Sequence, residues 1–199
     1  MNATQRAVAA RAASLLLRYP DADVLATLPT LRAALDDLPE PVAGPLRTLA
    51  AHRADTDPGR LTAGYVELFD FRRRYCLHLT YYTAGDTRRR GEALVLFAAA
   101  YKAAGLTVVD GELPDYLPAV LDLAALHDGG WRLLRENRVG LDLLAEALTA
   151  QKSEYRHAIE AVRAMLPPAQ PGDITAAARL ARTGPPAELV GLEPYGVAR

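Results

Sequence analysis

MNATQRAVAARAASLLLRYP, residues 1–20, has the apolar spacing of an amphipathic α-helix. Its apolar side chains fall at i, i+4, i+7, i+8 and i+11, on one helix face: Val8, Ala12, Leu15, Leu16 and Tyr19. Pro20 ends the pattern because proline cannot continue a helix. The same period recurs along most of the chain, so the fold is predicted to be all-α.

Prolines and a capping residue divide the next part of the chain. An apolar stripe over residues 24–38 is interrupted at Pro29. Three further prolines then precede a short helix that is expected over 46–53. Asp57 followed by Pro58 is typical of a helix start, because the carboxylate caps free N–H groups and proline is tolerated in the first turn.

Later helices are predicted from the same start and stop signals. Asp86 or Thr87 can cap one that stops at Gly105. Asp115 can cap the next, which is expected to end at Gly129–Gly130. Three more helical segments complete the pattern: 131–150, 153–166, and a short one that follows Asp173 and ends near Gly184.

These patterns predict a single-domain bundle of about eight or nine helices over residues 1–184. Residues 185–199 form a tail whose Pro and Gly content is too high for a regular element. LHLTYY, residues 77–82, has the period of a strand, but a lone strand has no sheet to join.

Composition excludes several classes of protein. A net charge of −1 and a pI of about 6.4 argue against general nucleic-acid binding, which normally uses a basic domain. The single cysteine excludes an internal disulfide and any iron–sulfur or zinc site built on thiolates. The N-terminus lacks the long apolar core of a signal peptide, and no run approaches about 18 apolar residues. We therefore expect a cytoplasmic protein without stable membrane insertion.

The charge distribution is uneven between residues 65 and 91, YVELFDFRRRYCLHLTYYTAGDTRRRG. Two arginine triplets, 72–74 and 88–90, flank a tyrosine-rich apolar segment. Six guanidinium groups this close require an anion, internal carboxylates or a partner surface. Consecutive helical residues point about 100° apart, so a whole triplet cannot face one ligand, and some members are expected to pair with Asp70 or Asp86.

No catalytic or metal constellation accompanies the arginines. Cys76 and His78 form a C-x-H pair, which is explained better by a buried thiol and a capping or surface histidine. The acidic residues Asp110, Glu112 and Asp115 lie in a loop that enters a helix, where capping and solvation account for them. The glycines lack phosphate-loop spacing, so no cofactor is expected.

Tyr65, Leu68 and Phe69 stand at i, i+3 and i+4. Core packing is the ordinary explanation for such a stripe. A groove that receives an amphipathic peptide would use the same residue types, with aromatic anchors and arginines at its rim. Spacing alone leaves both interpretations open.

The chain from Tyr65 to Asp122 resembles the nitrate reductase delta-subunit family, also called NarJ-type molybdenum cofactor assembly chaperones. The resemblance rests on residues 65–91, on ALVLFAAAYKAAGL (93–106) and on ELPDYLPAVLDLAAL (112–126). The opening LLLRYPDADVLATLP (15–29) and the tail GPPAELVGLEP (184–194) fit the same family.

This resemblance implies an all-α bundle without enzymatic activity. Members of the family resemble dedicated chaperones of molybdoenzymes, and for this branch the client is the alpha subunit of respiratory nitrate reductase. The chaperone would bind the client's N-terminal segment and hold the apo-subunit in the cytoplasm for iron–sulfur and molybdenum cofactor insertion. The mature complex would then pass to its membrane anchor.

The resemblance also implies the residues that bind the peptide. The aromatic-x-x-Leu-Phe motif falls on Tyr65, Leu68 and Phe69, followed by Asp70, and the Pro-Asp-His loop motif on Pro114, Asp115 and Tyr116. Tyr116 replaces histidine and so lacks a titrating imidazole, and Asp122 replaces a frequent glutamate. The charged rim would consist of the two arginine triplets: Arg72, Arg73, Arg74, Arg88, Arg89 and Arg90.

Two alternatives stay open at this point. The client could be another molybdoenzyme, such as a sulfoxide or amine-oxide reductase. Alternatively, the protein could be a permanent structural subunit of the reductase, which would remain with the mature membrane enzyme.

Overall fold

The computed structural model describes residues 1–108 and 111–186, and its regular elements are helical. Twelve α-helices occur in this part of the chain: α1 (Ala3–Leu17), α2 (Ala22–Ala26), α3 (Leu28–Ala34), α4 (Glu40–Asp55), α5 (Pro58–Tyr65), α6 (Tyr81–Ala84), α7 (Arg88–Ala103), α8 (Leu117–Leu126), α9 (Asp128–Glu136), α10 (Arg138–Ala150), α11 (Arg156–Ala164) and α12 (Pro171–Thr183). The prediction of an all-α fold is confirmed, with more helices than the eight or nine expected.

Two non-α turns follow α5. A π-helical turn covers Val66–Asp70 and a 3₁₀ turn covers Arg73–Tyr75. Between this region and the loop before α8 lies one antiparallel bridge, which joins His78 to Tyr116. The strand-like pattern of residues 77–82 therefore corresponds to a single bridge residue, His78, which is followed by a turn at residues 79–80 and by the start of α6 at Tyr81.

Helix α1 lies at the centre of the packing, against α8, α4 and α11. Its inward face is lined with alanines that are fully buried, Ala9, Ala10 and Ala13. Small side chains let two helix backbones approach closely. Ser14 uses this proximity, because its hydroxyl donates a hydrogen bond to the Pro118 carbonyl of α8 at 2.9 Å.

The two ends of α1 are satisfied in different ways. Asn2 and Gln5 form a reciprocal capping box at its start. At its end, the buried guanidinium of Arg53 donates to the carbonyls of Leu15 (3.3 Å) and Arg18 (2.6 Å). A cation at a helix C-terminus also interacts favourably with the helix dipole.

Helix α4 is longer than the predicted 46–53. It begins at Glu40 and includes both Pro41 and Pro45. Pro41 lies in the first turn, where the backbone N–H groups have no intrahelical acceptor. Pro45 removes one hydrogen bond of the helix without ending it, so these prolines were weaker stop signals than expected.

The prediction that Gly129–Gly130 ends α8 was wrong. Helix α8 ends at Leu126, and both glycines belong to the first turn of α9. A Cβ atom on Gly130 would lie 2.2 Å from the backbone nitrogen of Ala124 and 2.4 Å from its Cα. Gly130 is therefore required for the close approach of α9 to α8 rather than for a helix stop.

The segment 131–150 was predicted as one helix, but two helices meet there at Asn137. Its side-chain amide donates to the Leu133 carbonyl at 2.9 Å. This bond competes with the backbone pattern of a continuing helix. Helix α11 falls within the predicted 153–166.

The predicted signals at Asp57, Thr87, Gly105 and Gly184 are placed correctly. Asp57 caps α5 by accepting from the Arg60 N–H at 3.1 Å, and Thr87 is the residue before α7, although its side chain makes no capping bond. Gly105 and Gly184 follow α7 and α12 with φ of +69° and +74°.

Helix α12 begins before the expected Asp173. Gln170 and Asp173 form its capping box, so the helix starts at Pro171. Most of the predicted tail, residues 187–199, lies outside the described part of the chain, and the domain limit near residue 184 stays a prediction. None of the helices in the described ranges combines the length and apolarity needed to cross a bilayer.

Candidate functional site

The two motif segments meet through a pair of tyrosine hydroxyls. The Tyr65 hydroxyl at the end of α5 donates to the Leu17 carbonyl at 3.0 Å, and the Tyr116 hydroxyl lies 3.2 Å from it. Because Tyr65 has one proton and donates it to Leu17, Tyr116 is the donor in the second bond. Burial raises the pKa of both phenols, so they remain neutral. This chain of bonds connects α5, α1 and the start of α8.

The Tyr65 ring belongs to an aromatic cluster. Its centroid lies 4.7 Å from that of Phe69, 5.5 Å from Tyr19 and 5.8 Å from Tyr155. Phe69 also packs edge-on against Tyr155 at 5.0 Å. Such tilted and edge-to-face geometries are favourable for aromatic pairs.

The residues of the aromatic-x-x-Leu-Phe motif and the aspartate after it differ in how far they are buried. Tyr65 and Leu68 are buried core residues, Phe69 is half-buried at the edge of the cluster, and Asp70 is exposed. The core interpretation therefore applies to Tyr65 and Leu68 in this conformation. Phe69 and Asp70 are the two motif positions that reach the surface.

Asp115 does not cap α8, so that prediction was wrong. The residue before α8 is Tyr116, which makes no side-chain capping bond, and the Asp115 side chain turns inward with 0% exposure. Its Oδ1 lies 3.0 Å from His78 Nδ1. Its Oδ2 accepts from the Thr80 hydroxyl at 2.5 Å and from the Thr80 N–H at 3.2 Å.

These bonds determine the charge state of Asp115. Burial on its own would raise the pKa of the carboxyl group, but hydrogen bonds from His78 and Thr80 outweigh it. The net effect is a pKa below the usual value of 3.8. Asp115 is therefore an ionised carboxylate with no access to solvent.

The same contacts fix the loop that carries Tyr116. The Asp115 carbonyl accepts from the Leu79 N–H at 3.0 Å, and the Leu117 N–H donates to the Leu77 carbonyl at 2.8 Å. The His78 ring lies 5.6 Å from the Tyr116 ring. Residues 77–80 thus hold the loop that carries Tyr116.

A groove of about 450 Å³ is lined by one face of α8, by Arg11 of α1 with the segment that follows α1, and by Tyr101 of α7 with the segment that follows α7; we call it the α1–α8 groove. Its apolar lining consists of Tyr19, Val24, Tyr101, Leu106, Val108, Tyr116, Ala119, Leu123 and Leu126. Leu126 is 73% exposed at one end. The half-buried Pro114, the first residue of the loop motif, lines an adjoining depression with Leu106 and Val108.

One cluster of ion pairs supplies several of the polar groups that line this groove. Asp122 accepts from both Arg11 and Arg18 at 2.6 Å. Asp21 and Glu112 also line the groove. The groove therefore combines an apolar floor with edges that carry both signs of charge.

A second depression meets the groove at Tyr19. It has a volume of about 410 Å³ and is lined by residues of α5 and the π turn together with Phe71. Phe71 is 77% exposed. Exposed large apolar side chains next to a groove are typical of interaction surfaces.

Among the described residues that line the α1–α8 groove, none belongs to an arginine triplet. Arg73 and Arg90 both pair with Asp86, at 2.9 and 3.3 Å, and Arg72 pairs with Glu67 at 2.7 Å. Pairing with Asp86 was expected. The three side chains of a triplet do not converge on one ligand position.

The other arginines of the triplets, and a second contact of Arg90, point in different directions. The Arg74 guanidinium lies 5.7 Å from the Tyr75 ring centroid, and the Arg88 and Arg89 side chains belong to exposed residues at the start of α7. Arg90 turns inward, with Nη2 3.9 Å from Asp115 Oδ2. Among the described residues, the cations that line the α1–α8 groove are Arg11 and Arg18.

Cys76 is half-buried, and burial raises the pKa of its thiol. Its sulfur accepts from the His78 N–H at 3.4 Å. Of the acidic loop residues, Glu112 is exposed and Asp110 lies outside the described ranges. These positions agree with a structural thiol and a solvated carboxylate.

Comparison with known proteins gives the family. Residues 35–163 match the nitrate reductase delta subunit family. The chain belongs to this family. The match covers more than half of the 199 residues, and it confirms the resemblance found in residues 65–126.

Individual relatives cover different shares of the chain. The nitrate reductase-like protein NarX of Mycobacterium tuberculosis is 41% identical over 152 residues, which are 75% of this chain and 23% of that protein. The "Probable nitrate reductase molybdenum cofactor assembly chaperone NarJ" of Bacillus subtilis is 34% identical over 126 residues, 63% of this chain and 68% of that protein.

The nitrate reductase molybdenum cofactor assembly chaperone NarJ of Escherichia coli is 36% identical over 115 residues, 56% of this chain and 49% of that protein. The chain thus spans about a quarter of the mycobacterial protein and about half of the Escherichia coli one. Two of these relatives are named as chaperones, which agrees with the expectation of a non-catalytic protein.

Sequence reasoning missed much of the groove. Tyr19 was recognised as part of the α1 stripe, but nothing indicated that it would join two depressions. Arg11 and Arg18 gave no signal, because isolated arginines on a helix are ordinarily solvated. His78 and Thr80 alternate around Leu79, and that period-two pattern was the available sign that both could face one buried partner.

Proposed function

We propose that the protein is a chaperone of nitrate reductase assembly. In this proposal it binds the N-terminal segment of the apo catalytic (alpha) subunit in the cytoplasm. It holds that subunit for iron–sulfur and molybdenum cofactor insertion and releases it before membrane docking. Family membership and the names of the relatives support the proposal. The protein itself would need no cofactor and perform no catalysis.

The α1–α8 groove is the observation that carries the proposal. It has an apolar floor, exposed Tyr19 and Leu126 at its edges, and charged groups of both signs. An amphipathic helix can lay its apolar face into a groove of this kind while its polar residues meet the rim. The small size of the groove suits a complex that must later dissociate.

The motif residues divide into two groups in this mechanism. Tyr65 and Asp115 are buried and would shape the groove through Tyr116, which Tyr65 contacts and whose loop Asp115 holds, whereas Leu68 is a buried core residue. Tyr116, Pro114 and Phe69 are half-buried and would contact the client directly.

The exposed charges have a different part in the proposal. Asp70 and the arginine triplets lie outside the groove floor, so they would steer the client and contact its flanking parts. Charges at the rim of an interface affect association rate and specificity more than affinity.

Calorimetric titration tests this groove directly. The titrant is a synthetic peptide with the first residues of the nitrate reductase alpha subunit, and the variants are Tyr19→Ala and Leu126→Asp. Both side chains are exposed and line the groove, so the variants should fold. Ile174→Asp, at an exposed apolar position of α12, is the matched control.

We expect binding of the unmodified protein, a loss of roughly tenfold or more in each groove variant, and no change in the control. Equal binding by all variants would place the peptide elsewhere and contradict the proposed groove. Peptides from a sulfoxide or amine-oxide reductase serve as comparison clients. A preference for one of them would assign the protein to another molybdoenzyme.

A further inference from the structure

Helix α7 presents an apolar face to solvent. Its inward side is anchored by buried Phe97, Ala100 and Tyr101. On the opposite side, Val95 is 65% exposed and Leu96 63% exposed. Soluble proteins normally place polar residues on the outer face of a peripheral helix.

The outward residues of α7 have the spacing of a helix–helix interface. Glu92, Val95, Ala99 and Lys102 are separated by three, four and three positions, and all four residues are exposed. Alternating steps of three and four keep side chains on the seam between two packed helices. The flanking positions 91, 98 and 103 are Gly, Ala and Ala, which would let two backbones approach closely.

This face is complementary to itself in the antiparallel direction. Phe97 is the midpoint of the pattern, with Glu92 and Lys102 five positions on either side of it. A second α7 running in the opposite direction would set each Glu92 against the other copy's Lys102. Val95 would then meet Ala99 of the second copy, and both contacts would occur twice, as two-fold symmetry requires.

We propose that α7 is a homodimerisation surface, with a second copy of this chain as its occupant. A second copy fits because opposite charges near the two ends of this exposed face meet each other in an antiparallel pair. Among the described residues, neither Glu92 nor Lys102 forms an ion pair within its own chain.

The helix ends favour the same arrangement. The first turn of α7 contains no acidic residue and begins with arginines, which is unfavourable for its own dipole. In the antiparallel pair, Arg89 would lie near Gly105 of the second copy, where the last carbonyls of that α7 are. The positive side chain would then be close to a negative helix end.

The size of this surface predicts a transient dimer. Helix α7 has 16 residues and a length of about 24 Å. One pair of such helices buries less area than stable dimers need, which places the interface in the weak class. The dimer surface does not depend on the proposed chaperone function, although Ala98 and Lys102 also line, with Pro114, the depression that adjoins the α1–α8 groove.

Sedimentation equilibrium over a concentration series tests the dimer with four variants of the full chain. They are Val95→Asp, the single reversals Glu92→Lys and Lys102→Glu, and the double reversal Glu92→Lys/Lys102→Glu. Circular dichroism verifies that each variant is folded, and Ile174→Asp is the control for an exposed apolar residue elsewhere.

We expect a concentration-dependent dimer for the unmodified chain and for the control. Each single reversal should weaken dimerisation roughly tenfold, and the double reversal should restore it, because the ion pairs re-form with exchanged signs. Val95→Asp should abolish dimerisation. A monomer at all concentrations, or a folded double reversal that stays as weak as the single ones, would overturn the proposal.

Discussion

At the scale of single residues, Asp115 shows how a motif position acts through the groups it holds. Its carboxylate is fully buried and accepts three hydrogen bonds from His78 and Thr80. These bonds connect the tyrosine-rich segment to the loop before α8. The residue was identified from its motif, but its role as a helix cap was wrong, since sequence spacing could not show that the loop turns it inward.

Replacing Asp115 by asparagine should destabilise the protein. The amide keeps the shape but loses the charge, and it presents donor hydrogens where Thr80 already donates. We expect a loss of about 2–3 kcal/mol in the free energy of unfolding, measured by urea denaturation near pH 7. Asp70→Asn, at an exposed position, is the control and should change stability by less than about 0.5 kcal/mol.

The stability difference between wild type and Asp115→Asn should depend on pH. The pKa of Asp115 in the folded protein lies below its usual value of 3.8, so the folded state binds fewer protons than the unfolded state. Its contribution to stability is complete above that usual value and is lost as the pH falls through the folded-state pKa. The difference between wild type and Asp115→Asn should therefore shrink below about pH 4. A difference that grows on acidification would contradict this assignment.

At the scale of elements, local signals were correct where capping or positive φ alone decides and wrong where contacts between helices decide. Asp57–Pro58 and Gly105 act as expected because capping and positive φ depend on neighbouring residues alone. The prediction that Gly129–Gly130 ends α8 was wrong because Gly130 instead permits the contact between α9 and α8, which is a property of the tertiary structure. The break at Asn137 depends on one side-chain bond that the helical pattern does not register.

Gly130→Ala tests the contact between α8 and α9. The new methyl group would meet backbone atoms of Ala124 at 2.2 and 2.4 Å, which cannot move aside independently. We expect a loss of about 2–3 kcal/mol in unfolding free energy, since overpacking forces the helices apart.

Gly64→Ala is the matched control for this prediction. It also lies within an α-helix, and a Cβ there would meet nothing within 4 Å. It should be neutral or stabilising by up to about 1 kcal/mol, because alanine is a better helix former. Equal effects of the two substitutions on the urea midpoint would show that helix propensity, rather than close approach, governs Gly130.

The π-helical turn after Tyr65 is another element that the sequence did not reveal. Tyr65, Leu68 and Phe69 have normal α-helical spacing, and the wider turn changes the direction of the chain after Asp70. Phe71 is exposed beside the depression that adjoins Tyr19. Such π turns occur frequently at functional sites.

At the scale of the whole molecule, the family resemblance brought together segments that physical patterns left separate. Tyr65 and Tyr116 are distant in sequence and share a hydrogen bond in the fold. Helical periodicity was sufficient for the all-α class. It could not show that α8 and the segments that follow α1 and α7 line one groove, because that depends on which helix faces meet.

The charged surfaces of the molecule are also separate at this scale. The arginine triplets were expected to rim the peptide site, but the cations that line the groove among the described residues are Arg11 on α1 and Arg18 directly after it. Internal pairing of Arg73 and Arg90 with Asp86 takes up part of the triplets' charge. The charge clustering in the sequence therefore marked a structural junction as well as a proposed contact surface for the client.

The most direct test of the central claim is a capture experiment with the full-length nitrate reductase alpha subunit. The tagged chain is co-expressed with the apo-subunit, with an apo-subunit that lacks its N-terminal segment, and with the mature cofactor-loaded enzyme. We predict co-purification with the intact apo-subunit alone. Retention on the mature membrane enzyme would identify a permanent structural subunit, and equal capture of the truncated apo-subunit would contradict recognition of the N-terminal segment.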